Sequence, residues 1–242
     1  VVVAGSSGKT TMVKRFDNGE GELKCVASKE VASKSACSSM KLCRDSSDGK
    51  VYVALALVEE SGNNSSSTIS LHDFTAEVGG QAPLTVPREG IISSMAFSSD
   101  QRVFSAASES GTVSLFDFPT MTCFQDLLVD PCGVNDIRFD RNGQVVIAAR
   151  STVMGPQLWD VRLRKEQASV LQMGQDAALF GGDGGGDLPS RLTTVLPHAI
   201  RDVVYAGSED GVVSMWDVRN GTVPVDSVCA HSSHVSALCH HP

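Results

Sequence analysis

Four short stretches of this 242-residue chain end alike, and they do so in step. TISLHDF (68–74), TVSLFDF (112–118), PQLWDVR (156–162) and VSMWDVR (213–219) share an aspartate, at Asp73, Asp117, Asp160 and Asp217. Successive aspartates lie 44, 43 and 57 residues apart. The long interval exceeds the one before it by 14, the length of a glycine-rich stretch, GQDAALFGGDGGGD (174–187). Taking that stretch as an insertion restores the period. A second set keeps the same step: IISSMAF (91–97), GVNDIRF (133–139), LTTVL (192–196) and VSALC (235–239). These are short apolar alternations with a turn after them, as half-buried strands require. Between the two sets stand VYVALAL, VFSAAS, VVIAAR and VVYAGS. Each unit of about 43 residues thus holds three strands and a variable fourth.

One four-stranded sheet of this kind leaves both faces uncovered. Stacking such units around an axis buries the faces and leaves only short edges. The closing WD pair, present as Trp159-Asp160 and Trp216-Asp217, adds a second marker. The pattern resembles the WD-repeat family. The resemblance implies an all-β fold, a WD-repeat β-propeller occupying 1–242 as a single domain. Seven blades are expected in the full protein, with the chain continuing beyond Pro242 and 174–187 forming a flexible insertion. The likeness is clearest at AGSEDGVVSMWD (206–217). There Ser208, Asp210 and Trp216 match three places of the family's buried hydrogen-bond set. The fourth place, a histidine in the loop before the blade, has no counterpart in PSRLTT, whereas His231 fills it for the following repeat. The blade at 91–118 departs further, with Ser110 in the aspartate position and Phe116 in place of tryptophan; it must rely on apolar packing.

The opening, VVVAGSSGKTTMV, has a competing reading as a phosphate loop. Such a loop needs Gly-x-x-x-x-Gly-Lys-[Ser/Thr], whose backbone N–H groups wrap the phosphates, followed by a helix. With Gly8-Lys9-Thr10 fixed, the first glycine belongs at position 3, which is Val3; Gly5 is two residues too late. Laid over 203–216, the stretch reads instead as two strands joined by a glycine turn, and 18–36 as a long loop. The tail CAHSSHVSALCHHP collects Cys229, His231, His234, Cys239, His240 and His241. Zinc needs four ligands converging on one point, but alternation along a strand sends neighbours to opposite faces. No Gly-x-Ser-x-Gly elbow occurs, and Glu59-Glu60 sits beside SGNNSSST, read as a solvated loop. No catalytic residue, metal site or cofactor is nominated, and the chain reads as a non-enzyme without a small-molecule substrate.

The formal charge of −8 argues against nucleic acid and anionic membrane as partners. The longest apolar run, Val51–Val58, is too short to cross a bilayer. Seven cysteines without a Cys-x-x-Cys spacing favour a reducing, intracellular setting over a disulfide framework.

Two further resemblances bear on function. Arg162 and Arg219 each follow a WD pair by two residues. Adjacent WD-x-Arg repeats resemble those of substrate receptors of cullin-based ubiquitin ligases, where the arginines contact the adaptor. The segment 205–242, above all DGVVSMWDVRNGTVPV (210–225), with AH (230–231) and HHP (240–242), resembles the small WD-repeat nucleoporins of the Y-shaped outer ring of the nuclear pore. That resemblance implies an architectural subunit on a short arm of the Y. Its partners would be an α-helical scaffold nucleoporin and other outer-ring subunits. Its expected location is the pore, with kinetochores in mitosis, supporting RNA and protein traffic.

Overall fold

The computed structural model describes residues 2–4, 10–17, 23–30, 36–44, 49–61, 64–73, 84–118, 120–129, 131–150, 155–163, 169–172, 191–220 and 223–239. Every regular element among them is a strand, and the chain divides into two compact units, Val1–Ile92 and Ser93–Pro242.

The first unit contains two antiparallel sheets. One is β1 (Val2–Ala4), β2 (Thr10–Asp17) and β3 (Leu23–Glu30) in chain order. The other is β4 (Ala36–Arg44), β5 (Val51–Ser61), β6 (Asn64–Asp73) and β7 (Leu84–Glu89). The second unit contains three four-stranded meanders. These are β8 (Ile92–Phe97), β9 (Val103–Ser108), β10 (Thr112–Asp117) and β11 (Thr122–Leu128); β12 (Val134–Phe139), β13 (Val145–Arg150), β14 (Gln157–Asp160) and β15 (Ser169–Gln172); and β16 (Leu192–Pro197), β17 (Val203–Ser208), β18 (Val212–Asp217) and β19 (Asp226–Cys229). In every four-stranded sheet the third strand ends on one of the in-phase aspartates, Asp73, Asp117, Asp160 or Asp217. The fold is all-β, built of WD-type propeller blades.

Alternation along β13 shows why its sequence reads as one apolar run. Val146 and Ala148 pack with Val113, Leu115 and Leu127 of the preceding blade. Ile147 and Ala149, their neighbours, pack with Leu192, Val195 and Val204 of the following one. Successive strand residues face opposite ways, so a sheet covered on both sides needs apolar residues at both parities. Trp159 lies with the first set and Trp216 with the second, so each tryptophan packs against the blade before its own. In the blade β8–β11, where Phe116 stands in the tryptophan place, Phe97, Phe104, Phe116 and Phe118 form a chain of ring contacts with centroids 4.8–5.7 Å apart.

Three expected loops or strands differ. The stretch 18–36 contains β3, paired with β2 from Thr11↔Glu30 to Asp17↔Leu23; Asn18-Gly19 is a hairpin signal rather than the start of a long loop. The serine-rich stretch after Glu59-Glu60 is no solvated loop either, because β5 and β6 stay paired out to Ser61↔Asn64. Its hydroxyls serve the sheet: Ser67 is buried and accepts the Ile92 N–H at 3.1 Å, and Thr68 donates to Glu59 at 3.1 Å. Residues 235–239 form no strand.

Candidate interaction surface

The polar set assigned to Ser208, Asp210 and Trp216 divides. Ser208 donates to the Asp210 carboxylate and accepts the Val212 N–H at 3.2 Å, closing the β17–β18 turn. Trp216 does not join them. Its indole N–H donates to Ser214 at 2.9 Å, two residues back on the same strand and therefore on the same face. His72, which stands where tryptophan would in β6, meets Ser70 in the same way at 3.1 Å. Ser110 and Ser108 pair at 2.9 Å, a hydroxyl doing at that turn what Asp210 does at the later one. His231 is exposed; its backbone N–H, rather than its ring, is what binds the turn, donating to Gly211 O at 3.1 Å.

Sequence reasoning missed the connections between blades. The second residues of β8, β12 and β16 reach backbone carbonyls further along the chain: Ser93 to Val134 and Asn135 to Leu192, each the first residue of the next opening strand, and Thr193 to Val235. Asn135 and Thr193 stand at register shifts in their ladders, where the bulge frees the side chain to point sideways. The third residues form a second tie. Asp136, buried, accepts Ser94 Oγ at 2.7 Å from the blade before and Thr194 Oγ1 at 2.9 Å from the blade after. Its own Ile137 N–H at 2.9 Å and the Val195 N–H at 3.3 Å also donate to it, and Arg138 Nε lies 3.5 Å from Oδ2. The available signal was Asp136 standing at a core-facing parity of its strand, between Val134 and Arg138.

The two WD-x-Arg arginines differ in use. Arg162 folds back on Asp160, its Nε donating at 2.8 Å and its Nη2 pairing with the other carboxylate oxygen. Those hydrogen bonds hold the Asp160 carboxyl below the usual carboxylate range, against the opposing effect of its burial. Arg219 leaves Asp217, which takes only its backbone N–H, and reaches Asp202 in the loop after β16. Arg141, from the loop after β12, comes to the same carboxylate at 3.9 Å and also donates to Ile200 O. Trp159 and Asp160 are buried, Asp217 half-buried, and both arginine side chains are mostly exposed.

Among the described residues no group of His, Cys, Asp and Glu gathers as a metal site, and no helix is long and apolar enough to cross a membrane. His240, His241, Lys9 and the stretch 174–187 lie outside the described residues.

Residues 82–117, spanning β7 to β10, match the family model described as WD domain, G-beta repeat. The chain carries a WD repeat in this stretch. The match falls on the blade with Phe116 in the tryptophan place, so the repeat is defined there by strand spacing and the closing aspartate. The chain is also similar to Nucleoporin Nup43 of Homo sapiens, 30% identical over 86 residues, which is 36% of this chain and 20% of that protein. To Nucleoporin Nup43 of Mus musculus it is 25% identical over 135 residues, 55% of this chain and 32% of that protein. It therefore spans well under two thirds of either relative. The likeness is to a WD-repeat nucleoporin, within a family that points to scaffolding rather than catalysis.

Proposed function

We propose that this WD-repeat protein is a non-enzymatic scaffold subunit of the Y-shaped outer ring of the nuclear pore. The likeness to Nup43 over more than half of the chain carries the reading. The blades support it physically. Their polar groups are spent on tying strand to strand and blade to blade, which makes a rigid platform. The partner we infer is an α-helical scaffold nucleoporin, with other outer-ring subunits around it, and nucleocytoplasmic transport is the process served. Affinity purification of the full-length protein from nuclear-envelope extracts tests this: outer-ring nucleoporins are the expected co-purifying chains, and their absence removes the reading.

The exposed Arg162 and Arg219 keep a ligase substrate receptor as the second reading. The double variant Arg162→Ala/Arg219→Ala separates the two. A nucleoporin still co-elutes with its helical partner, whereas a ligase receptor loses a cullin adaptor that the wild type retains.

A further inference from the structure

In the second unit, the turns between the first and second strands of the blades share one frame. Each opens on a residue whose N–H donates to the carbonyl five positions on: Ser98 to Val103 at 2.8 Å, Asp140 to Val145 at 2.8 Å and His198 to Val203 at 2.9 Å. The side chain of that same residue accepts backbone N–H groups of the turn. Ser98 Oγ takes Val103 at 2.9 Å, and Asp140 Oδ1 takes Gln144 and Val145 at 2.8 Å each. His198 Nδ1 takes Ile200 at 3.0 Å and Arg201 at 3.1 Å. One task thus falls to a hydroxyl, a carboxylate and an imidazole.

The three chemistries differ in how they answer to acid. Hydroxyls and carboxylates keep their acceptor oxygens through mild acid, whereas imidazole is the side chain that changes charge between about pH 5 and 8. A ring nitrogen accepts only while it carries a lone pair, so His198 bonds the two amides as the neutral ring with its proton on Nε2. A second proton turns Nδ1 into a donor facing two donors, and both bonds go together. We propose that His198 is a pH-sensitive latch, which closes the 198–203 turn when neutral and releases it when protonated. More than the turn depends on it. Asp202 within the turn is reached by Arg219 from the loop after β18 and by Arg141 from the blade before, and the Ile200 carbonyl also accepts Arg141. Opening the turn therefore loosens a contact between two blades. The groups around the ring are Asp140 and Arg141 from the loop after β12, Arg201 and Asp202 from its own turn, and Tyr205 of β17 with ring centroids 6.2 Å apart. These charges are of both signs, so the trigger is loss of the Nδ1 acceptor rather than any single charged partner.

The latch belongs to the blade and does not depend on the nuclear-pore reading, which co-purification tests separately. The test is NMR of the isotope-labelled chain, titrated from about pH 8 to about pH 5, with the His198 ring and the backbone amides followed together. The Ile200 and Arg201 amides should shift with the same midpoint as the His198 ring. Their hydrogen exchange, corrected for the intrinsic effect of pH, should speed up about tenfold, as loss of a hydrogen bond implies. The Gln144 and Val145 amides, held by Asp140, serve as the internal control and should stay protected. His198→Asn, checked by thermal melting, keeps an acceptor at this position that does not titrate in the range, and should abolish the response. Four results would overturn the latch: a ring that takes no proton in this range, a ring that titrates while both amides stay unmoved, equal loss of protection at Gln144 and Val145, or an unchanged response in folded His198→Asn.

Discussion

At the scale of single residues, energy gathers where one polar side chain serves several blades. Asp136 accepts from Ser94, Thr194 and two backbone N–H groups. Asp136→Ala strips the acceptor from all four donors, each an unsatisfied buried group worth roughly 1–3 kcal/mol before relaxation and water entry. A net loss of about 3 kcal/mol is expected by urea denaturation, with Asp136→Asn losing less because one oxygen remains. Asp160 gives a pH dependence of known sign. Its carboxyl is held below the usual range in the folded chain, so the Arg162 contact stabilises above the ordinary carboxylate range and is lost as pH falls through the folded value. The stability gap between wild type and Arg162→Ala should therefore be present at neutral pH and vanish on acidification; a gap that widened in acid would refute the assignment. The sequence pattern groups Ser208, Asp210 and Trp216 in one polar set, whereas the structure bonds Ser208 to Asp210 and Trp216 elsewhere. Trp216 turns to Ser214 because strand geometry puts a hydroxyl two residues away on its own face. A nearer donor–acceptor pair displaces a longer-range one whenever both satisfy the buried N–H.

At the scale of elements, the blade strands were legible because each is short, apolar and marked by a turn. What lay hidden was pairing that depends on partners distant in sequence. The stretch 231–235 illustrates this. It runs against β17 and the turn before β18, with Val235 N–H donating to Ser208 O at 2.9 Å, although 235–239 forms no strand. Two glycines make room for it. A Cβ at Gly207 would meet Val235 Cγ1 at 2.7 Å. At Gly211, where φ is +85°, it would stand 2.0 Å from the His231 carbonyl oxygen, and the backbone conformation itself disfavours a side chain. The equivalent of Gly207 in the two earlier blades is an alanine, Ala107 or Ala149, so the sequence alone suggested no penalty there. Gly207→Ala should push 231–235 off the sheet and raise hydrogen exchange at the Val235 amide while the β17–β18 ladder stays protected. Gly211→Ala should do the same and lower the melting temperature as well. Unchanged exchange at Val235 in both variants would show that this segment is not seated as described.

At the scale of the whole molecule, two stretches of the sequence suggest special functions, and each suggestion meets a physical objection. The opening looks like a phosphate loop, but Thr10–Asp17 is a strand paired with Val2–Ala4 where such a loop requires a helix. Calorimetric titration with ATP or GTP and Mg²⁺ should give no saturable heat, and micromolar binding lost on Lys9→Ala would reverse that reading. The glycine-rich stretch 174–187 invites a role in partner binding because it interrupts an otherwise regular period. Composition argues otherwise. It has six glycines, and its larger apolar side chains are confined to Leu179 and Phe180. Ordering a residue costs about 1–2 kcal/mol, whereas a methylene buried at an interface returns about 0.8. A contact made mainly by this stretch would lose more in entropy than burial could restore, so the persistent contacts of a scaffold must come from residues the blades already hold in place. Deleting Gly174–Asp187 should then leave affinity for the co-purifying partner within a few-fold of wild type in a side-by-side pull-down titration. A loss of binding in a deletion variant that still melts cooperatively would assign the interface to the insertion and take it away from the blades.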